Sequence, residues 1–86
     1  MTENVITIYG TRWCGDCFTV RRFFDKNNIN YKWVDIDSDK AGEEFVLITN
    51  KGMRSVPTIL FNDGSIIVEP SNYELKRILE LFLLQS

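Results

Sequence analysis

The chain predicts an α/β domain, a mixed four-stranded sheet with three flanking helices in the order β-α-β-α-β-β-α. Three observations carry that prediction. A β-branched run, Val5-Ile6-Thr7-Ile8-Tyr9, gives way after Gly10 to helical apolar spacing from Cys14 onward. A second alternating run follows that helix, so the two strands belong to a β-α-β unit and should be parallel, with a right-handed crossover. An Asp63-Gly64 turn then separates two further apolar runs, the signature of an antiparallel hairpin.

Val5 to Tyr9 is the expected first strand. The first helix spans about Cys14 to Asn27, with Cys17, Val20 and Phe24 on one face and Phe23 beside them. Arg21, Arg22, Asp25 and Lys26 fall mainly toward water. Asn27 and Asn28 tolerate the left-handed cap conformation and stop the helix. Tyr31 to Ile36 alternates bulky and polar residues and reads as the second strand. Ser38 or Asp39 opens a second helix over Ala41 to Asn50, whose apolar face is a patch of Phe45, Val46, Leu47 and Ile48. Lys51-Gly52 ends it. Thr58 to Phe61 is the third strand, Asn62 to Ser65 the turn, and Ile66 to Val68 the fourth strand. Ser71 with Glu74 three residues later forms a capping box after Pro70. The last helix places Leu75, Ile78, Leu79 and Phe82 at core spacing and ends near Leu84. Tyr9, Phe23, Phe24, Trp33, Phe45, Phe61 and Phe82 are the aromatic core candidates.

With 86 residues, the expectation is one domain, residues 1–86, able to bury a single modest core. A formal net charge of −2 gives no reason to expect a nucleic-acid partner. No basic stretch followed by an apolar one opens the chain, so no signal peptide is read. The most apolar stretch, Ile78 to Leu84, is interrupted by Glu80 and too short to span a bilayer. A cytosolic protein with no membrane partner is therefore expected. In that compartment thiols stay reduced, so a lone CxxC points to catalysis rather than to stapling.

Cys14-Gly15-Asp16-Cys17 holds the chain's 2 cysteines. A thiol in the first turn of a helix faces unpaired backbone N–H groups and the positive end of the macrodipole. Both favour the thiolate, the nucleophilic form. The partner sulfur lies about one turn on, close enough to close a disulfide. Other readings fit less well. Zinc wants four ligands, and the chain has no histidine and no third cysteine. A structural disulfide across so short a loop would restrict the unfolded chain little. Two buried inert cysteines sit poorly with Gly15 and Asp16 between them.

The element order, the CxxC after the first strand and Val56-Pro57-Thr58 opening the third together resemble the glutaredoxin branch of the thioredoxin superfamily. Within it, Tyr9 to Cys17 and Gly52 to Thr58 are similar to mycoredoxin-like and related bacterial glutaredoxin-like proteins. The resemblance covers essentially the whole chain and implies a thioredoxin-like fold. It implies that Cys14 attacks, that Cys17 resolves, and that Pro57 follows a cis peptide bond beside the sulfurs, where a substrate strand would pair at Val56. Glutathione-using members generally carry a lysine three residues before the first cysteine, where this chain has Thr11; Arg12 is either its substitute or a solvated charge. Such members also hold a carboxylate on backbone N–H groups at the start of the last helix. Here the stretch is Glu69-Pro70-Ser71-Asn72, in which Pro70 offers no N–H and Glu69 repels a carboxylate. Ser71 and Asn72 remain the binding candidates there, and another low-molecular-weight thiol or a protein disulfide is easier to accommodate.

Trp13 either shields the sulfurs and forms a docking surface or is a partly buried loop tryptophan. Arg54 reaches the rim of the site, either to meet a substrate carboxylate or to pair with Asp37 or Asp39. Asp16 places a negative charge near the Cys14 sulfur, which disfavours anionic substrates, or else points away and serves the helix dipole. The expectation is a small dithiol oxidoreductase that reduces protein disulfides or low-molecular-weight thiol mixed disulfides. It works as a monomer, with an external thiol or reductase as electron donor, no metal, and no cofactor in the chain. The alternatives are an iron–sulfur carrier in which two chains share a cluster through Cys14 and an external thiol, or a redox-sensing module. An arsenate-reductase-like member is disfavoured because such chains carry a longer helical insertion.

Overall fold

The structure is a computed structural model that describes the backbone of residues 6–85 and the side chains of residues 6–81. The chain folds as β1 (Thr7–Gly10), α1 (Gly15–Lys26), β2 (Lys32–Asp35), α2 (Lys40–Thr49), β3 (Thr58–Leu60), β4 (Ile66–Val68) and α3 (Asn72–Gln85). The sheet runs in the order β2-β1-β3-β4. β1 pairs with β2 in parallel, whereas β1–β3 and β3–β4 are antiparallel, so the sheet is mixed as the pattern predicts. Val5 and Phe82, expected in the first strand and the core, lie outside the described backbone and side chains respectively.

Alternation along β1 separates two packing layers. Ile6 and Ile8 point to one face and pack with Val20 and Phe24 of α1, Ile59 of β3, and Leu75 and Ile78 of α3. Tyr9 points to the other face and stacks on Phe45 of α2, with ring centroids 4.7 Å apart. Gly42 brings α2 close to the sheet, since a Cβ there would lie 2.6 Å from Val34 Cγ1. The apolar face of α2 is narrower than its sequence suggests. Val46 is fully buried, but Ile48 lies on the opposite side and is exposed.

The ends of the elements follow from local chemistry. Cys14 caps α1, and Asn28, with φ 57°, turns the chain out of it. Asp39, not Ser38, caps α2: its carboxylate accepts the Gly42 N–H at 2.9 Å. Lys51 and Gly52 leave α2 at positive φ. Before α3, the Ser71 N–H donates to Glu74 Oε1 at 3.1 Å and the Glu74 N–H to Ser71 Oγ at 3.2 Å, the reciprocal capping box. β3 stops at Leu60 because the Phe61 N–H is taken by the Ser65 carbonyl inside the hairpin loop, at 2.9 Å.

Candidate active site

The turn after β1 delivers Cys14 and the first turn of α1 delivers Cys17, and burial separates them. Cys17 falls on the inner face of α1 with Val20 and Phe24 and is fully buried, whereas Cys14, one turn earlier, is half-buried at the mouth. Cys14 is the N-cap of α1, so its Sγ takes the place that a serine or aspartate oxygen usually holds. The Cys17 N–H donates to it at 3.4 Å. The Cys14 thiol lies 4.0 Å from the Val56 carbonyl oxygen. Gly10 is the reason Cys17 fits beneath: a Cβ there would meet Cys17 Sγ at 2.5 Å and the Trp33 ring at 2.8 Å.

Burial pushes the Cys17 thiol up to about 12. A backbone hydrogen bond from Thr11 opposes that rise, while the neighbouring Cys14 sulfur and, last, the Asp16 charge add to it. Cys17 thus lies buried behind a more accessible thiol, with its ionisation disfavoured. Two thiols so placed can exchange with an incoming disulfide in sequence, outer sulfur first.

The Val56–Pro57 peptide bond is cis, as the resemblance implies, and it sets the Val56 carbonyl beside Cys14. Trp13 is exposed rather than packed into the loop, and its Nε1–H donates to Asp37 Oδ2 at 2.9 Å. The same carboxylate takes Arg54 at 2.6 Å, and Arg54 Nε donates to Glu43 at 3.0 Å. Asp37 therefore ties together the loop before Cys14, the turn after β2 and the loop before Pro57. Arg54, and next Trp13, hold its carboxyl below the ordinary aspartate range. Of the two acids expected for Arg54, Asp37 is the partner and Asp39 is engaged in capping. Glu43 is an additional partner that the sequence reading misses, although an acid in the first turn of α2 is a readable signal.

Arg12 reaches Asp35 at 3.5 Å with most of its side chain in water. Asp16 is exposed on the first turn of α1 and joins Glu69, Pro70, Ser71 and Asn72 around a groove of about 190 Å³. Ser71 lines this groove, yet its N–H and hydroxyl are both engaged with Glu74. Glu69 holds the turn at φ 49° and donates its N–H to the Pro57 carbonyl at 2.8 Å, which seats this loop beside the cis-proline. Of the expected site residues, Val56 lies beside Cys14, Trp13 and Arg54 are joined through Asp37, Asp16, Ser71 and Asn72 share one groove, and Arg12 pairs with Asp35.

The Glutaredoxin family model matches residues 6–66, which include both cysteines, the cis-proline and the first hairpin strand. The chain belongs to the glutaredoxin family. Glutaredoxins are thiol–disulfide oxidoreductases, and a redox function of that class comes with membership. A Mycobacterium tuberculosis protein named for the family is 43% identical over 76 residues, covering 88% of this chain and 90% of its own length. Mycoredoxin 1 of Corynebacterium glutamicum is 35% identical over 65 residues, 76% of this chain and 80% of that protein. Among solved structures, a point mutant of the thioredoxin-like protein BC3987 superposes with a TM-score of 0.75 at 27% identity, covering 87% and 94% of the two chains. No helix among the described residues is long and apolar enough to cross a membrane.

Proposed function

We propose that this glutaredoxin is a monomeric, single-domain dithiol reductase of the cytosol that acts on protein disulfides or low-molecular-weight mixed disulfides through Cys14 and Cys17. One observation carries the reading: a half-buried sulfur at a helix N-cap accepts the backbone N–H of the second cysteine, whose own thiol is fully buried. In the first step Cys14 Sγ, as thiolate, attacks a substrate sulfur. A Cys14–substrate disulfide forms, the substrate S–S bond breaks, and the first thiolate leaves and takes a proton. In the second step Cys17 gives up its proton and attacks Cys14 Sγ, which releases the second substrate thiol and leaves the Cys14–Cys17 disulfide. Two electrons have then passed from the dithiol to the substrate, and an external thiol or reductase returns them. Proximity supports the second step, since Cys14 Sγ lies 3.4 Å from the Cys17 backbone nitrogen; in the resting dithiol, burial and then the Cys14 sulfur disfavour the Cys17 thiolate. Once Cys14 is joined to substrate, its charge can no longer oppose ionisation of Cys17. Val56, beside Cys14, offers backbone to an extended substrate, and Arg12, Trp13, Asp16, Arg54, Ser71 and Asn72 form the rim.

Cysteine-to-serine variants test this directly. Cys14→Ser is expected to abolish exchange with every disulfide. Cys17→Ser should accumulate a mixed disulfide that intact-mass analysis detects as a covalent adduct, released by added thiol. Exchange surviving in Cys14→Ser and lost in Cys17→Ser would reverse the two roles.

A further inference from the structure

Three of the chain's 5 arginines converge on one hollow beside the cysteines. It has a volume of about 250 Å³ and is lined by Thr11, Arg12, Phe18, Arg21 and Arg22. Phe18, Arg21 and Arg22 stand at i, i+3 and i+4 on the outer face of α1, so they share one surface. Thr11 forms part of the wall next to the reacting sulfur, since its carbonyl accepts the Cys14 N–H at 3.5 Å.

Two features set this hollow apart from an ordinary solvated helix face. Its lining holds no carboxylate, and among the described residues no acid pairs with Arg22, whereas Arg12 and Arg21 also line an adjoining hollow that contains Asp35 and Asp39. Arg21 is held by a ring rather than an acid, its guanidinium lying 4.1 Å from the Trp33 ring centroid. Arg12 reaches Asp35 but keeps 85% of its side chain exposed. The second feature is Thr11. It is 2% exposed, and its Oγ1 is a buried side-chain oxygen without a hydrogen-bond partner among the described residues. Buried hydroxyls normally find partners. In a chain of net charge −2, so local a concentration of cations is not a by-product of general basicity.

We infer that this hollow docks an acidic segment of a protein partner, with carboxylates near the partner's disulfide meeting Arg12 and Arg22 while its sulfur meets Cys14. A protein is favoured over a small anion by the aromatic rim: Phe18 and Trp13 are 53% and 73% exposed on either side of Cys14 in the sequence. Exposed aromatics beside arginines are the composition of protein interfaces. The inference rests on the exchange chemistry proposed above and adds the class of partner. The separate groove lined by Asp16 and Glu69 repels the same segment and so disfavours the reverse orientation.

The test uses two disulfide-linked peptides that differ only in Glu-Asp or Gln-Asn beside the cysteine. The wild-type protein is expected to turn over the acidic peptide with the higher kcat/KM, and the advantage should shrink as salt is raised. Arg22→Gln should lower kcat/KM for the acidic peptide by roughly three- to tenfold through KM, and bring the two peptides near parity. A second readout does not need exchange: acidic and neutral peptides with serine in place of cysteine, titrated against wild type and Arg22→Gln. Preferential binding of the acidic one by wild type, lost in the variant, supports docking whether or not exchange occurs. Equal binding of the two overturns it, as does inhibition by free phosphate with no peptide preference, which marks a small-anion site. Absence of turnover with both exchangeable peptides would instead count against the exchange reading and leave the binding arm to decide the docking.

Discussion

The two flanks of Cys14 carry opposite charge. Arg12 from the turn before α1, with Arg21 and Arg22 from that helix, surrounds a hollow with no acid in its lining, whereas Asp16 of α1 and Glu69 before α3 share a groove with no cation in its lining. The rim between them, Trp13–Asp37–Arg54–Glu43, pairs its charges internally. A substrate anion that sought Arg54 would have to displace two carboxylates already within hydrogen-bond distance. Arg54, the cation best positioned along the sequence for meeting a substrate, is the neutralised one. The available cations lie on a helix face that looks merely solvated. Charge on the two flanks acts on a substrate's encounter and orientation.

The variant with the largest expected effect removes the base that the pair and the basic flank share. Gly10 sits where a Cβ would press on both Cys17 Sγ and the Trp33 ring, and Trp33 carries Arg21. Gly10→Ala should lower stability by about 1–3 kcal/mol, the usual scale for overpacking. It should also slow resolution of the Cys14 mixed disulfide, because Cys17 Sγ, the nearer of the two groups, must shift. Urea unfolding and the lifetime of the trapped adduct measure the two effects. An unchanged midpoint together with an unchanged lifetime would mean that the close approach under the pair is not maintained in solution.

A smaller effect sharpens the contrast between flanks. Asp16→Asn removes a charge from the acidic wall without reaching the basic hollow. It should raise kcat/KM for an anionic disulfide by about two- to fivefold, as expected for one exposed, screened charge, and do so less at high salt. The sign is opposite to that expected for Arg22→Gln. Stopped-flow exchange with acidic and neutral peptides in low and high salt separates them. If both substitutions move the acidic substrate in the same direction, the two flanks do not act as opposites.

The framework is legible in the sequence because its signals are local. Asp63-Gly64 marks the hairpin, Ser71 and Glu74 mark a cap that forms as read, and the CxxC marks the start of α1. Strand ends are less legible, since Phe61 looks like a continuing strand residue until its N–H is seen to turn toward Ser65. Ile48 shows the limit of composition: an apolar residue in an amphipathic run can lie on the wrong side of a ten-residue helix. The electrostatics of the rim can be read only in outline. Arg54 lies 17 residues from Asp37 and 11 from Glu43, and choosing Asp37 over Asp39 requires knowing that Asp39 is occupied by its helix. Arg21 and Arg22 read as water-facing because nothing in the sequence says that Arg12 arrives beside them from the preceding turn.

The neutral rim provides the last and smallest test. Asp37 is exposed, and its carboxyl is held below the ordinary range by Arg54 first and then by Trp13. A group whose folded-state value is depressed contributes stability above the unfolded value, about 3.9 for aspartate, and loses it as pH falls through the lower folded value. Wild type should therefore exceed Asp37→Asn in Tm by about 1–3 °C near neutrality, the scale expected of an exposed pair in a domain of this size. The two should converge on acidification below pH ~4. In a Trp33→Phe background the emission of Trp13, which donates to Asp37, should change with a midpoint below that of a free aspartate. A stability gap that persists unchanged into acid would show that Asp37 acts by shape rather than by charge. In that case the rim would not be neutral through ion pairing, and Arg54 would rejoin the cations available to substrate.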